Sequence, residues 1–127
     1  MVKRDNPEAR FTTQVVNILH LYGWMVYHPL PAVHRGRYVT AMQGDAGWPD
    51  IAAAHPVHGF IVAELKTATG RVSDQQKDWL HALLAAGIEA YVWRPDDIDF
   101  IVARARGIEI DDRHHCGTKN GETVPPC

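Results

Sequence analysis

Asp50 closes the segment GWPD, and Glu64 and Lys66 stand two apart in AELKT. Side chains alternate faces along a strand, so Glu64 and Lys66 point the same way and Leu65 points the other. Two apolar runs, Ile51 to Ala54 and Phe60 to Leu65, flank the turn-rich HPVHG and predict a β-hairpin. A turn centred on Val57 sets Asp50 opposite Glu64 and Ala52 opposite Val62. Directly opposed residues hold their Cβ atoms about 4.5 to 5.5 Å apart, where like charges repel. A divalent cation between the two carboxylates removes that conflict.

Mg²⁺ takes hard oxygen ligands from one or two carboxylates, with waters and substrate phosphate completing the octahedron. Asp50 and Glu64 supply that number. Such a cation polarises a phosphoryl oxygen and lowers the pKa of an attacking water, while a nearby ammonium, here Lys66, stabilises developing charge or helps deprotonate the water. The chemistry that fits is Mg²⁺-assisted attack of water at a phosphoryl group. Singly, each residue has an ordinary explanation: Asp50 starts a strand after a turn, and Glu64 with Lys66 forms a weak surface ion pair. Charges in a strand that otherwise reads FIVAEL are costly without partners, however, and three at this spacing across one hairpin point to a site.

The elements that position this group are legible on either side. Asp5 or Asn6 as N-cap, Pro7 at the first helical position and Glu8 in the first turn open a helix that Gly23 closes. Its apolar residues Phe11, Val15, Ile18, Leu19 and Tyr22 form one core-facing stripe, and Glu8 falls on the same stripe. A first-turn acid also suits the helix dipole, which explains Glu8 without catalysis. Trp24 to Tyr27 reads as a strand, followed by LPAVHRGRYVT, a basic loop with room for a second strand. Ser73 to Gln76 has the S-x-x-Q form of a capping box, opening a helix with Trp79, Leu80, Leu83 and Leu84 on one stripe and Gly87 at its end. Ile88 to Trp93 reads as a strand, and RPDDIDFIVARAR as a last helix with Pro95 and the Asp pair in its first turn. The order α-β-β-β-α-β-α predicts an α/β (α+β) fold, a central mixed sheet flanked by helices, with one domain over residues 1–107. Residues 108–127 lack periodicity and read as a weakly ordered tail.

At 127 residues the chain fits one domain, and 46% hydrophobic with 22% charged residues is ordinary globular usage. No apolar run approaches the roughly 20 residues that span a bilayer, and MVKRDNPEAR lacks the apolar stretch of a signal peptide, so a cytoplasmic location is expected. The two cysteines, Cys116 and Cys127, make no disulfide framework, and no second Cys or His cluster joins His114, His115 and Cys116 at structural-zinc spacing. A net charge of −2 gives nucleic-acid binding no overall basic surplus. Local cations remain: His34, Arg35 and Arg37 in the basic loop, and Arg71 and Lys77 near the helix that follows the hairpin, are candidate phosphate contacts.

Together G47-W48-P49-D50, E64-L65-K66 and S73-x-x-Q76 resemble the VRR-NUC branch of the PD-(D/E)xK nucleases. E8-x-x-F11, G23-W24 running into Y27-H28, G70-R71, W79 and W93-R94-P95 resemble the small stand-alone members from bacteria and their phages. The resemblance spans roughly Glu8 to Phe100 and implies a restriction-endonuclease-like core. It also implies a metal ion held by Asp50, Glu64 and the backbone carbonyl of Leu65, with Lys66 beside the attacking water. Glu8 and Gln76 support the site in that reading, with Glu8 a further candidate ligand. The implied activity is endonucleolytic cleavage of DNA, branched or Holliday-junction DNA in particular, by a homodimer whose two sites meet two strands. Rival readings are a restriction-like or nicking enzyme on ordinary duplex, and a catalytically silent DNA-binding or assembly module.

Overall fold

The computed structural model describes residues 6–39 and 41–108, together with the backbone of 118–119 and 122–123. Helix α1 (Pro7–Leu21) opens at Asn6, whose side chain accepts from the Ala9 N–H, with Pro7 in the first turn. It ends where Gly23 takes φ +89°, a left-handed backbone that glycine adopts without a Cβ penalty. Phe11, Val15 and Leu19 are buried and Ile18 and Tyr22 pack beside them, which is the stripe their spacing predicts.

The main sheet has four strands in the order β1 (Met25–Tyr27), β4 (Ile51–His55), β5 (Gly59–Leu65) and β6 (Glu89–Trp93). β1, β4 and β5 pair antiparallel and β6 joins β5 in parallel, so the sheet is mixed. The β4–β5 register is the one that a turn centred on Val57 demands, with Ile51 against Ala63 and Ala52 against Val62. α2 (Asp74–Ala85) makes the crossover from β5 to β6, and a 3₁₀ turn (Pro95–Asp97) leads into α3 (Ile98–Ala105). Within this sheet and its helices the order is the expected α-β-β-β-α-β-α.

Two details differ from the sequence reading. The basic loop folds into a hairpin of its own, β2 (Ala32–His34) with β3 (Arg37–Val39), turned by Arg35 at φ 51° and Gly36 at φ 75°. Positive φ at both central residues is the turn whose twist matches paired strands, and Arg35 occupies it in place of the usual Asn or Asp. The last helix starts later than Pro95, because the Asp97 side chain accepts from the Arg94 N–H and holds the first three residues in a tighter 3₁₀ turn. The 108–127 extension lies largely outside the described residues, as do His114, His115, Cys116 and Cys127; within it Thr118–Lys119 pairs antiparallel with Glu122–Thr123.

Burial on the two faces of the sheet is unequal. One face carries Ile51, Ala53, Ile61, Ala63, Leu65, Tyr91 and Trp93 against α1 and α3, forming the larger core. Trp24 locks this layer by donating Nε1–H to the Ala105 carbonyl at 2.9 Å. The opposite face holds Val62, Ala90 and Val92 under Leu80 of α2. Alternation along β5 therefore sends Glu64 toward α2 while Leu65 faces the larger core. Leu19→Ala should lower unfolding free energy by about 2–5 kcal/mol in urea denaturation, because a fully buried Leu leaves a cavity; a cost under about 1 kcal/mol would place the main core elsewhere.

Candidate active site

Glu64 is the one charged residue among the described residues that is fully buried, at 2% exposure. Its Oε1 accepts from Gln76 Nε2 at 2.8 Å and lies 3.4 Å from Lys66 Nζ. Its Oε2 is buried without a hydrogen-bond partner. Asp50, one residue before β4, comes to the same end of the sheet, and its Oδ2 accepts from the Leu65 N–H at 2.8 Å. A strand residue directs its N–H and C=O to the same neighbour, so the Leu65 carbonyl faces the Asp50 side too. The Lys66 N–H is taken by the Trp93 carbonyl at 2.9 Å, on the β6 side.

Gln76 divides its amide between two tasks. Its Oε1 accepts from the Ser73 N–H at 2.8 Å while Ser73 Oγ accepts from the Gln76 N–H at 3.2 Å, a complete capping box. Its Nε2 is thereby aimed at Glu64. The structural and functional readings of this residue hold together, since the cap fixes the rotamer that meets the carboxylate.

The electrostatics follow from burial. Removal from water, and then the charge of Asp50, push the Glu64 carboxyl up from its ordinary 4.5 to about 8, against the opposing pull of Lys66. Two carboxylates and one ammonium leave the group one positive charge short, and either a proton on Glu64 or a cation beside it restores the balance. The orphaned Oε2, the neighbouring Asp50 and the Leu65 carbonyl make an all-oxygen set that suits a hard divalent ion. Among the described residues no cluster of three or more His, Cys, Asp and Glu side chains forms a cage. Two carboxylates with a carbonyl, leaving room for water and phosphate, are what Mg²⁺ ordinarily takes.

The structure brings Asp50, Glu64, Lys66 and Gln76 together. Glu8 is exposed in the first turn of α1, and no hydrogen bond or ion pair among the described residues joins its carboxylate to the group. Its place at the start of the stripe puts it at the helix end, beyond the buried turn that begins at Phe11. His34, Arg35 and Arg37 lie exposed in the β2–β3 hairpin, Arg71 is exposed just before α2, and Lys77 is half-buried on α2.

Three supporting residues escape a reading of the sequence for catalytic types. His28 Nδ1–H donates to the Asp50 carbonyl at 2.7 Å, fixing the backbone that carries the carboxylate. Arg94 Nη1 donates to the carbonyls of Thr67 at 2.6 Å and Gly70 at 2.7 Å, pinning the loop that leaves Lys66. Gly47, at φ +105°, lies so close to α2 that a Cβ would stand 2.6 Å from the Gln75 carbonyl carbon and oxygen. That contact seats the segment ending in Asp50 against the helix carrying Gln76. The texts Y27-H28, W93-R94-P95 and G47-W48-P49-D50 were the available signals, without indicating these contacts.

The VRR-NUC domain model matches residues 12–97, so the chain belongs to the VRR-NUC family. That membership agrees with the mixed-sheet α+β architecture and carries a nuclease-type function, with DNA as the implied substrate. No curated protein and no solved structure matches the chain. No helix among the described residues is long and apolar enough to cross a membrane.

A raised carboxyl has a signed consequence for the metal-free protein. The folded state keeps a proton on Glu64 that the unfolded chain releases near its ordinary 4.5, so this group's contribution to stability is complete below that pH. It is lost progressively as pH rises through about 8. In chelator, the melting temperature of wild type relative to Glu64→Gln should therefore fall across this window. A relative melting temperature that rises with pH there would contradict the assignment.

Proposed function

We propose that this chain is an Mg²⁺- or Mn²⁺-dependent DNA endonuclease whose metal ligands are Asp50, Glu64 and the Leu65 carbonyl. The observation that carries the reading is the orphaned, buried Oε2 of Glu64, turned away from solvent beside a second carboxylate. A buried acceptor without a donor is costly, and a cation relieves both that cost and the repulsion from Asp50. When bound, the cation supplies charge stabilisation at a phosphoryl oxygen and a more acidic water. The protein residues have separate work. Asp50 and Glu64 bind, the former oriented by the Leu65 N–H and the latter by Gln76. Lys66, at 17% side-chain exposure, presents an ammonium to the charge that develops as the phosphodiester is attacked.

The β2–β3 hairpin supplies the phosphate contacts in this reading. β1 ends with Tyr27 against Ala52, and the next residue, His28, touches the Asp50 backbone; after β3 the chain returns to Asp50 itself. The leading end of the hairpin is thus tied to the site, and His34, Arg35 and Arg37 offer the positive charge that the whole chain lacks. Arg71 and Lys77 flank the other side, and Glu8 is assigned a supporting role on family likeness alone. Resemblance to stand-alone VRR-NUC members further favours branched or Holliday-junction DNA and a homodimer, whose two-fold axis suits a junction.

Matched linear, flap and four-way-junction DNAs, each with Mg²⁺, Mn²⁺ or chelator, test this directly. Wild type should cut only with metal and should favour the branched forms. Asp50→Ala, Glu64→Ala and Lys66→Ala should each lower cleavage at least about 100-fold while circular dichroism stays native. Full activity in any of the three overturns the site. Equal cutting of linear duplex replaces the branch preference with a restriction-like or nicking activity, and binding without cutting identifies a silent module.

A further inference from the structure

Beside the catalytic group, a groove of about 420 Å³ lies between the segment around Asp45 and Ala46 and the face of α2 formed by Gln75, Asp78, Trp79 and Ala82. We propose that this groove seats one unpaired nucleobase of the strand being cut, and that it favours bases carrying an exocyclic amino group. The inference rests on the nuclease reading above and adds a subsite to it.

One wall of the groove is a fixed aromatic ring. Trp79 donates its Nε1–H to the Asp45 carbonyl at 3.1 Å, and its ring meets Trp48 edge to face with centroids 5.0 Å apart. A ring held at both its polar end and its side needs no ordering when a base stacks on it, so little conformational entropy opposes the contact. The volume is that of a small-ligand cleft.

The rim of the groove is acidic. Asp45 and Asp78 are exposed carboxylates, which accept hydrogen bonds and do not donate them. They repel a phosphate, so the groove does not suit the sugar-phosphate backbone. They accept from the amino groups of cytosine, adenine or guanine, as carboxylates do at base edges, whereas an unpaired thymine offers only its single ring N3–H. A base inside a duplex has both faces stacked and its pairing edge occupied, so aromatic wall and carboxylates together can engage only a base outside the stack.

The groove is continuous in sequence with the site. Gln75 precedes Gln76, which bonds Glu64, and Trp48 stands two residues before Asp50. Gly47 presses the segment that forms one wall onto the Gln75 backbone that forms the other. A strand with a phosphate at Glu64 and Lys66 therefore has a base within reach of the groove.

The test uses single-stranded DNAs of about 12 nucleotides, a length within the reach of single-strand sites. In these a single 2-aminopurine, an amino-bearing fluorescent base, is moved one position at a time. They are titrated in chelator with the full chain and with Ala82→Phe, which fills the groove from an exposed helical position and leaves the capping box intact. Wild type should quench the probe at one or two adjacent positions, with affinity weakened roughly tenfold in Ala82→Phe. Thymine at that position should bind more weakly than cytosine, and Asp78→Asn should narrow the difference. Equal quenching by both proteins, or quenching at no position while anisotropy shows the strands bound, overturns the base seat and leaves the nuclease reading intact. Position-specific quenching without Mg²⁺-dependent cleavage supports the seat and removes the nuclease reading. Strands that neither bind nor are cut overturn both.

Discussion

A carboxylate buried to 2% exposure is held in place only by what surrounds it, and the arrangement around Glu64 explains much of the fold's layout. Gln76 reaches it from α2, Lys66 from two residues further along the same extended segment, and Asp50 from across the hairpin. Each of these is itself fixed by a neighbour: Gln76 by the cap it makes with Ser73, Asp50 by the Leu65 N–H and by His28 at its carbonyl, and the loop beyond Lys66 by Arg94. Burying one charge has thus organised a further layer of hydrogen bonds, and with both carboxylates ionised the uncompensated remainder is one negative charge, which a proton on Glu64 balances in the metal-free protein. That remainder is the physical reason to place a cation here.

The two faces of the sheet divide stability from chemistry. The face under α1 and α3 is largely apolar, from Phe11 and Leu19 to Trp93 and Ile101, though its polar atoms include the Trp24 Nε1–H, bonded to the Ala105 carbonyl, and a buried Trp93 Nε1–H without a partner. The face under α2 has a smaller apolar cluster around Val62 and Leu80, and beyond it the same strand turns to Glu64. A one-residue slip of β5 would exchange Leu65 and Glu64 between faces, burying the carboxylate in the larger core. Register and chemistry are therefore a single constraint. It is set at the far end by the turn over Val57, where His55 Nδ1 accepts from the N–H groups of both Val57 and His58 at 3.0 Å.

Much of this was legible in the residues. Alternation in FIVAEL and the HPVHG turn gave the register that opposes Asp50 to Glu64, because a two-residue period and a short turn leave little freedom. The capping box from Ser73 was equally plain, being a local pattern with a local cause. What escaped the sequence is of another kind. The β2–β3 hairpin turns on Arg35-Gly36, where the common signals are Asn-Gly or Asp-Gly, and Pro29 and Pro31 just before it read as breakers. The roles of His28 and Arg94 are contacts to backbone carbonyls distant in sequence, which no spacing rule encodes. Glu8 shows what a stripe leaves open, since it predicts direction but not depth, and the stripe's first residue lies at an exposed end.

The central claim is that Asp50, Glu64 and the Leu65 carbonyl hold one divalent ion. The most direct measurement is anomalous diffraction at the manganese edge from crystals of this chain grown with Mn²⁺. The account predicts a single strong peak bonded to both carboxylates and to the Leu65 carbonyl oxygen, absent in crystals of Glu64→Gln. A Mn²⁺ peak bound at other residues, with the Glu64 Oε2 still without a partner, would contradict it.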